Sequence, residues 1–181
     1  MSSENPDIRQ KVEDNRGILK KLELLVPGLR GYRNKEDIRV SDDLLRNQVA
    51  DKIDMAKSNL ETLRKQMSNS GDFTNLGSVG SIIFQLQQFE GEVRHAQQGY
   101  SGFGASFQIN EDKLNKLYDY DYAFVNASFQ LVDSTSPTKL IYDPTNASSI
   151  LPALNSVTSL VTGFKQKWAI RMEAIENIAQ Q

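Results

Sequence analysis

Residues 35–69 read "KEDIRVSDDLLRNQVADKIDMAKSNLETLRKQMSN", and their spacing decides the fold. Ile38, Leu45, Val49, Ile53, Ala56, Leu60, Leu63 and Met67 recur at steps of three, four or seven, which puts all of them on one side of an α-helix as a near-perfect heptad seam. Asn34 stands where an N-cap belongs, and "SNSG" at 68–71 supplies the stop. A helix of about 35 residues is about 50 Å long. Propensity alone leaves isolated helices marginal in water, so a single apolar stripe of this length must be buried against partner helices.

Those partners can be read outward from it. Upstream, Ile8, Val12, Leu19, Leu22 and Val26 predict a helix over 6–26 that stops at Pro27 and Gly28. Downstream, the turn "NSGDF" leads into Phe73, Leu76, Val79, Ile83, Leu86, Phe89 and Val93, which predicts an antiparallel helical hairpin with the long helix. Gly77 and Gly80 sit early in this third helix, so either it starts late or another backbone comes close. After a glycine-rich joint at 99–104, Asn110 caps a fourth helix over 111–133, whose first residues Glu111 and Asp112 suit its dipole. The loop 133–148 has two prolines and room for a short extended piece, "KLIY" at 139–142. Ile150, Leu154, Val157, Val161, Phe164, Trp168, Met172, Ile175 and Ile178 then predict a helix over 147–179, with Pro152 tolerated in its first turns. The expectation is an all-α, elongated antiparallel bundle of about five helices built on a long, coiled-coil-like hairpin. It forms one helical domain over 1–181, with 1–133 and 134–181 as a sub-division.

Composition narrows the function. With 39% hydrophobic and 24% charged residues, a chain of 181 residues can bury a substantial core. Its formal charge of −2 removes the overall attraction that non-specific nucleic-acid binding uses. The absence of cysteine excludes disulfides, thiolate zinc sites, iron–sulfur clusters and cysteine nucleophiles. The N-terminal "MSSENPDIRQ" has no apolar signal core, and the weakly charged stretch 144–164 is broken by Pro152 and many hydroxyl residues, making it a poor bilayer span. The expected setting is the cytoplasm.

Two Gly-Tyr joints are the candidate sites. At "GLRGYRNKEDIR" (29–40), Arg30, Tyr32, Arg33, Lys35 and Arg39 gather at a helix start, where free amides favour anions. Against this, Glu36, Asp37, Asp42 and Asp43 offset the charge, and Asp42 with Arg46 at i,i+4 fits an ordinary solvated helix start. At "GYSGFGASF" (99–107), Tyr100 and Phe103 serve either a partner or as an aromatic plug over the bundle end. The spacing matches neither common phosphate-loop motif. His95, the only histidine, and Tyr100 are one route to an enzyme site with Asp121. Asp121 lies within an apolar series, so the plainer reading is a structural bridge to a loop arginine or tyrosine. Metal-ligand spacing, a catalytic triad and paired glycosidase carboxylates are all lacking. No cofactor is expected. Lys165, Lys167 and Arg171 around Trp168 read as basic residues on a polar face, with Trp168 turned inward.

The run "PGLRGYRNKEDIRVSDDLLRNQVADKI" at 27–53, followed by "GYSGF" and "INEDKLNKLYDYD", resembles a poorly characterised prokaryotic family of helical-bundle or coiled-coil proteins. Gly31, Tyr32, Lys35, Arg39, Asp42, Leu45 and Arg46 match the first motif of that pattern. Gly99, Tyr100, Ser101, Gly102, Phe103, Leu117, Tyr118 and Asp121 match the second. The resemblance implies that the two joints belong together, and it implies no activity.

The expected function is that of a non-enzymatic interaction or scaffold protein, acting through helix seams as a homo-oligomer or on a protein partner. A peripheral membrane-surface or anionic-ligand binder using the basic joint at 30–39 is the alternative, followed by an enzyme near His95, Tyr100 and Asp121. The uncharged stretch 144–164 suits burial on several sides or contact with another subunit.

Overall fold

The structure is a computed structural model that describes residues 8–29, 31, 35–96 and 111–179. Within these, five α-helices run in the order α1 (Ile8–Leu25), α2 (Lys35–Asn69), α3 (Leu76–His95), α4 (Glu111–Thr135) and α5 (Leu151–Ala179), with a 3₁₀ turn at Ala147–Ile150 leading into α5. No strand occurs among the described residues. The protein is an all-α bundle.

Every residue of the α2 heptad seam, from Ile38 to Met67, is buried. The α2–α3 turn explains itself locally. Gly71 takes φ +74°, a left-handed conformation that costs a residue with a Cβ. Its amide bonds back to Ser68, while the Asp72 amide reaches the Met67 carbonyl at 3.0 Å, the paired bonds of a Schellman stop. Asp72 then gathers the opening of α3. Its carboxylate accepts from the Thr74 amide, the Asn75 side chain and the Tyr142 hydroxyl at 3.1–3.2 Å. Burial pushes this carboxyl upward, but those hydrogen bonds outweigh it and hold it below the ordinary carboxylate range.

The helices α2, α3, α5 and α4 pack in that order around a closed ring, and α1 lies outside against α4. The hairpins α2–α3 and α4–α5 are antiparallel, as the sequence predicts for the first. The other two sides of the ring are parallel. Asn59 of α2 meets Thr135 of α4, and Phe89 of α3 packs edge-on against Phe164 of α5 with ring centres 5.0 Å apart. Farther along, the Trp168 indole donates to Glu92 at 2.8 Å. Phe124 of α4 touches both Phe164 and Trp168, so the aromatic side chains form one cluster at the ring's centre.

Three local expectations change. The fourth helix continues to Thr135, with the Ser134 and Thr135 hydroxyls donating to the Leu131 carbonyl. "KLIY" is a turn followed by irregular chain rather than an extended piece, because Leu140 is drawn into the core and its amide, like that of Lys139, bonds Ser136. Gly77 and Gly80 lie inside α3, yet no atom comes within 4 Å of where a side chain would begin at either position. A close backbone therefore does not explain them; the helix starts at Leu76, which leaves Gly77 in its first turn and Gly80 in the next.

Candidate functional site

The bundle interior holds a charge cluster that joins all four helices of the ring. Arg171 of α5 is fully buried. Its Nε donates to Asp121 of α4 and its Nη2 to Asp42 of α2, each at 2.6 Å. The second oxygen of Asp42 accepts from Arg46 Nε at 2.9 Å. Arg46 also reaches Asp43 and donates Nη1 to the Val93 and Arg94 carbonyls at 3.2 Å, placing a cation at the C-terminal end of α3 where the helix dipole favours it. Packing around Arg171 is aromatic, with its guanidinium over Phe124 and Trp168 at 5.9 and 5.7 Å. Such a cluster contributes little net stability over an apolar core, but deleting one member leaves a buried charge unpaired.

This corrects two sequence expectations. Asp42 and Arg46 are not part of a solvated helix start, and Arg171 is not on a polar face. The i,i+4 pair was visible in the sequence, whereas its burial depended on α5. Arg171 did carry a signal: it falls three residues after Trp168 and four before Ile175, on the apolar stripe. An arginine on one stripe and Asp121 on another, both needing partners, form a recognisable complement.

The basic joint is only partly visible. Arg30, Tyr32 and Arg33 lie outside the described residues, as do Tyr100 and Phe103 of the second joint and the Lys35 side chain. Arg39 is exposed and pairs with Glu36 one turn away at 3.3 Å, a contact of small energetic weight. His95 ends α3 in an exposed position, while Asp121 is sealed in the core. The first joint's Gly31 takes φ +78°, and a Cβ there would come within 3.3 Å of the Tyr118 hydroxyl. Residues of both motifs, Asp42 and Asp121, converge on Arg171. Among the described residues no group of three or more acidic or histidine side chains could hold a metal ion, and no helix is long and apolar enough to cross a membrane.

A second feature lies on the surface. Residues 73–89 and 144–164 contain no charged side chain, and the parallel run of α3 and α5 lays them side by side. At the chain-wide 24%, 38 residues of an ordinary mixed-charge surface and core would carry about nine charges. The exposed positions show that this is a property of the surface too. Among them are Ser78, Ser81, Phe84, Gln87 and Gln88 on α3, and Asn155, Ser156, Thr158, Ser159 and Thr162 on α5. By contrast α2 exposes Asp51, Glu61, Arg64 and Lys65, and α4 exposes Glu111, Lys116 and Asp119. Between α3 and α5, where the ring is least tightly closed, runs a groove of about 380 Å³ lined by residues such as Gly77, Ser81, Gln85, Leu151 and Thr158. Phe84, on the outer side of α3, is 60% exposed. Charges resume only at the ends of the face, at Asp72 and Asp143 and at Glu90 and Lys165.

No protein-family model matches the chain, and neither the curated proteins nor the solved structures give a match.

Proposed function

We propose that this chain is a non-enzymatic interaction protein, a helical scaffold that associates through the uncharged α3/α5 face. The observation that carries this reading is the absence of charge from the adjoining, partly exposed halves of two helices whose neighbours are charged. Exposed charge keeps a bundle soluble and monomeric, so a face that omits it gives up that protection where contact is useful. The buried Arg171 cluster supports the same reading. It makes the interior a rigid frame, and its charged groups are committed to one another rather than turned toward a substrate. A chain without cysteine suits a reducing compartment, and the cytoplasm is the proposed location.

The test compares wild-type protein with Phe84→Lys, an exposed change that leaves the core untouched. Association, whether with itself or with a co-purifying protein, is measured by cross-linking and light scattering on both. The variant should keep its helical circular dichroism and lose the association. A wild-type protein that shows no more association than the variant would remove the reading.

A further inference from the structure

We infer that α1 is a releasable strap: it opens from the bundle as a unit while the four-helix ring stays folded, and so uncovers a second apolar stripe on α4. Two stripes run along that helix. Asp121, Phe124 and Thr135 meet α5 and α2 inside the ring, and Leu117, Ser128 and Leu131 complete that inward series at steps of three and four. Tyr118, Tyr122, Val125, Phe129 and Val132 repeat the same steps one residue later, on a face turned about 100° from the first. A helix that served only the ring would carry polar residues there. Instead α1 lies against α4 on this side. The Lys21 ammonium stands 5.8 Å from the centre of the Tyr122 ring, and Leu19 and the Tyr118 hydroxyl close together around Gly31. Farther along, Lys52 of α2 leans over Phe129 at 4.1 Å.

The ring does not need α1 to close. Its aromatic cluster of Phe89, Phe124, Phe164 and Trp168 and the charge group around Arg171 draw only on α2, α3, α4 and α5. Among the described residues, α1 packs on α4 and on no other helix. From Gly17 to Leu25 only Leu22 is buried, and Leu24 is 78% exposed. Elements with so little buried apolar surface open first and open locally. The turn after α1 is held more firmly than the helix. Val26 and Leu29 are buried, and the Gln48 side-chain amide of α2 donates to the Pro27 carbonyl at 3.0 Å. Pro27 ends the helix, and Gly28 takes φ +91° just beyond it. The pivot therefore lies at the end of α1, with the chain beyond it pinned to α2.

Opening changes what the molecule shows to solvent. With α1 in place this side presents Lys20, Lys21 and Glu23. With α1 released it presents Tyr118 and Tyr122, backed by Val125, and frees Leu22 from its buried site. A polar cover over an apolar, tyrosine-bearing stripe makes exposure of that stripe conditional on one element. The strap is independent of the α3/α5 face, because α4 lies across the ring from α3. It stands whether or not that face associates.

The experiment is hydrogen exchange of the full wild-type chain, followed by mass spectrometry in urea below the unfolding transition. Amides of Leu19–Leu25 should exchange at least about tenfold faster than those of Leu45–Leu60 in α2 and Leu117–Leu131 in α4. They should also share one urea dependence, less than about half as steep as that of the ring. Rates graded along α1 with no common dependence would mean simple fraying and overturn the inference. Exchange of α1 and α4 together, with one slope, would make α1 part of the ring's cooperative unit and overturn it as well. Because the chain has no cysteine, single thiols give a second readout. Leu22, Leu60 and Leu131 are all fully buried. Leu22→Cys should react with a thiol reagent at least about tenfold faster than Leu60→Cys or Leu131→Cys, whereas equal rates for all three would count against a separate opening. The wild-type exchange decides the matter even if a variant fails to fold.

Discussion

Removing the guanidinium of Arg171 would leave Asp42 and Asp121 facing one another inside the bundle, each having lost a charge-assisted hydrogen bond. Arg171→Met is therefore expected to destabilise the fold by roughly 3–5 kcal/mol, the usual loss when one member of a buried ionic group is deleted. Urea unfolding followed by circular dichroism measures it. Combining Arg171→Met with Asp121→Leu should recover part of that loss, since two apolar groups leave fewer stranded charges than one. Asp72 has a different consequence. Its carboxyl is held below its ordinary value, so the folded state favours the ionised form and gains stability above the unfolded-state pKa. That gain disappears as pH falls through the lower folded-state value, in the region below about 4. The stability difference between wild type and Asp72→Asn should accordingly shrink on acidification from neutral pH to pH 2, as read from unfolding midpoints. A difference independent of pH would mean that the Asp72 contacts contribute through shape alone.

At the scale of the element, glycines with different surroundings should respond in opposite directions. Gly71 holds a left-handed turn, and Gly71→Ala should cost about 1–2 kcal/mol by forcing a Cβ into that conformation. Gly91 is helical with open space around it, so Gly91→Ala should stabilise α3 by up to about 1 kcal/mol. Thermal unfolding of dilute protein, where association plays no part, distinguishes the two. The same contrast shows what the apolar periodicity could convey. It located α2 and its buried seam residue by residue, because a stripe that long has only one way to be hidden. It misjudged "KLIY" because four residues carry too little pattern to separate a strand from a turn anchored by Leu140.

For the whole molecule, the uncharged face makes association a matter of apolar contact and hydrogen bonds. Raising salt from about 50 to 500 mM shortens the screening length severalfold, yet the affinity of association through that face should change by less than about threefold. A strong weakening with salt, measured by sedimentation, would instead point to contacts through the charged helices α2 and α4.

Much of this protein was determined by its sequence alone. Five helices, the long hairpin, the heptad core and the uncharged runs at 73–89 and 144–164 are properties of local order along the chain, and periodicity and composition report local order directly. Only the tertiary structure decided that α3 and α5 run parallel, so that two uncharged runs separated by some 55 residues become one face. It alone brought Arg171 to Asp42, which is 129 residues away, turning what looked like surface charge into interior frame. The physical reason is common to both. Burial of a charge and the width of a face depend on which helices are neighbours around the ring, and that choice is made by side chains meeting across space, where no spacing along the chain records it.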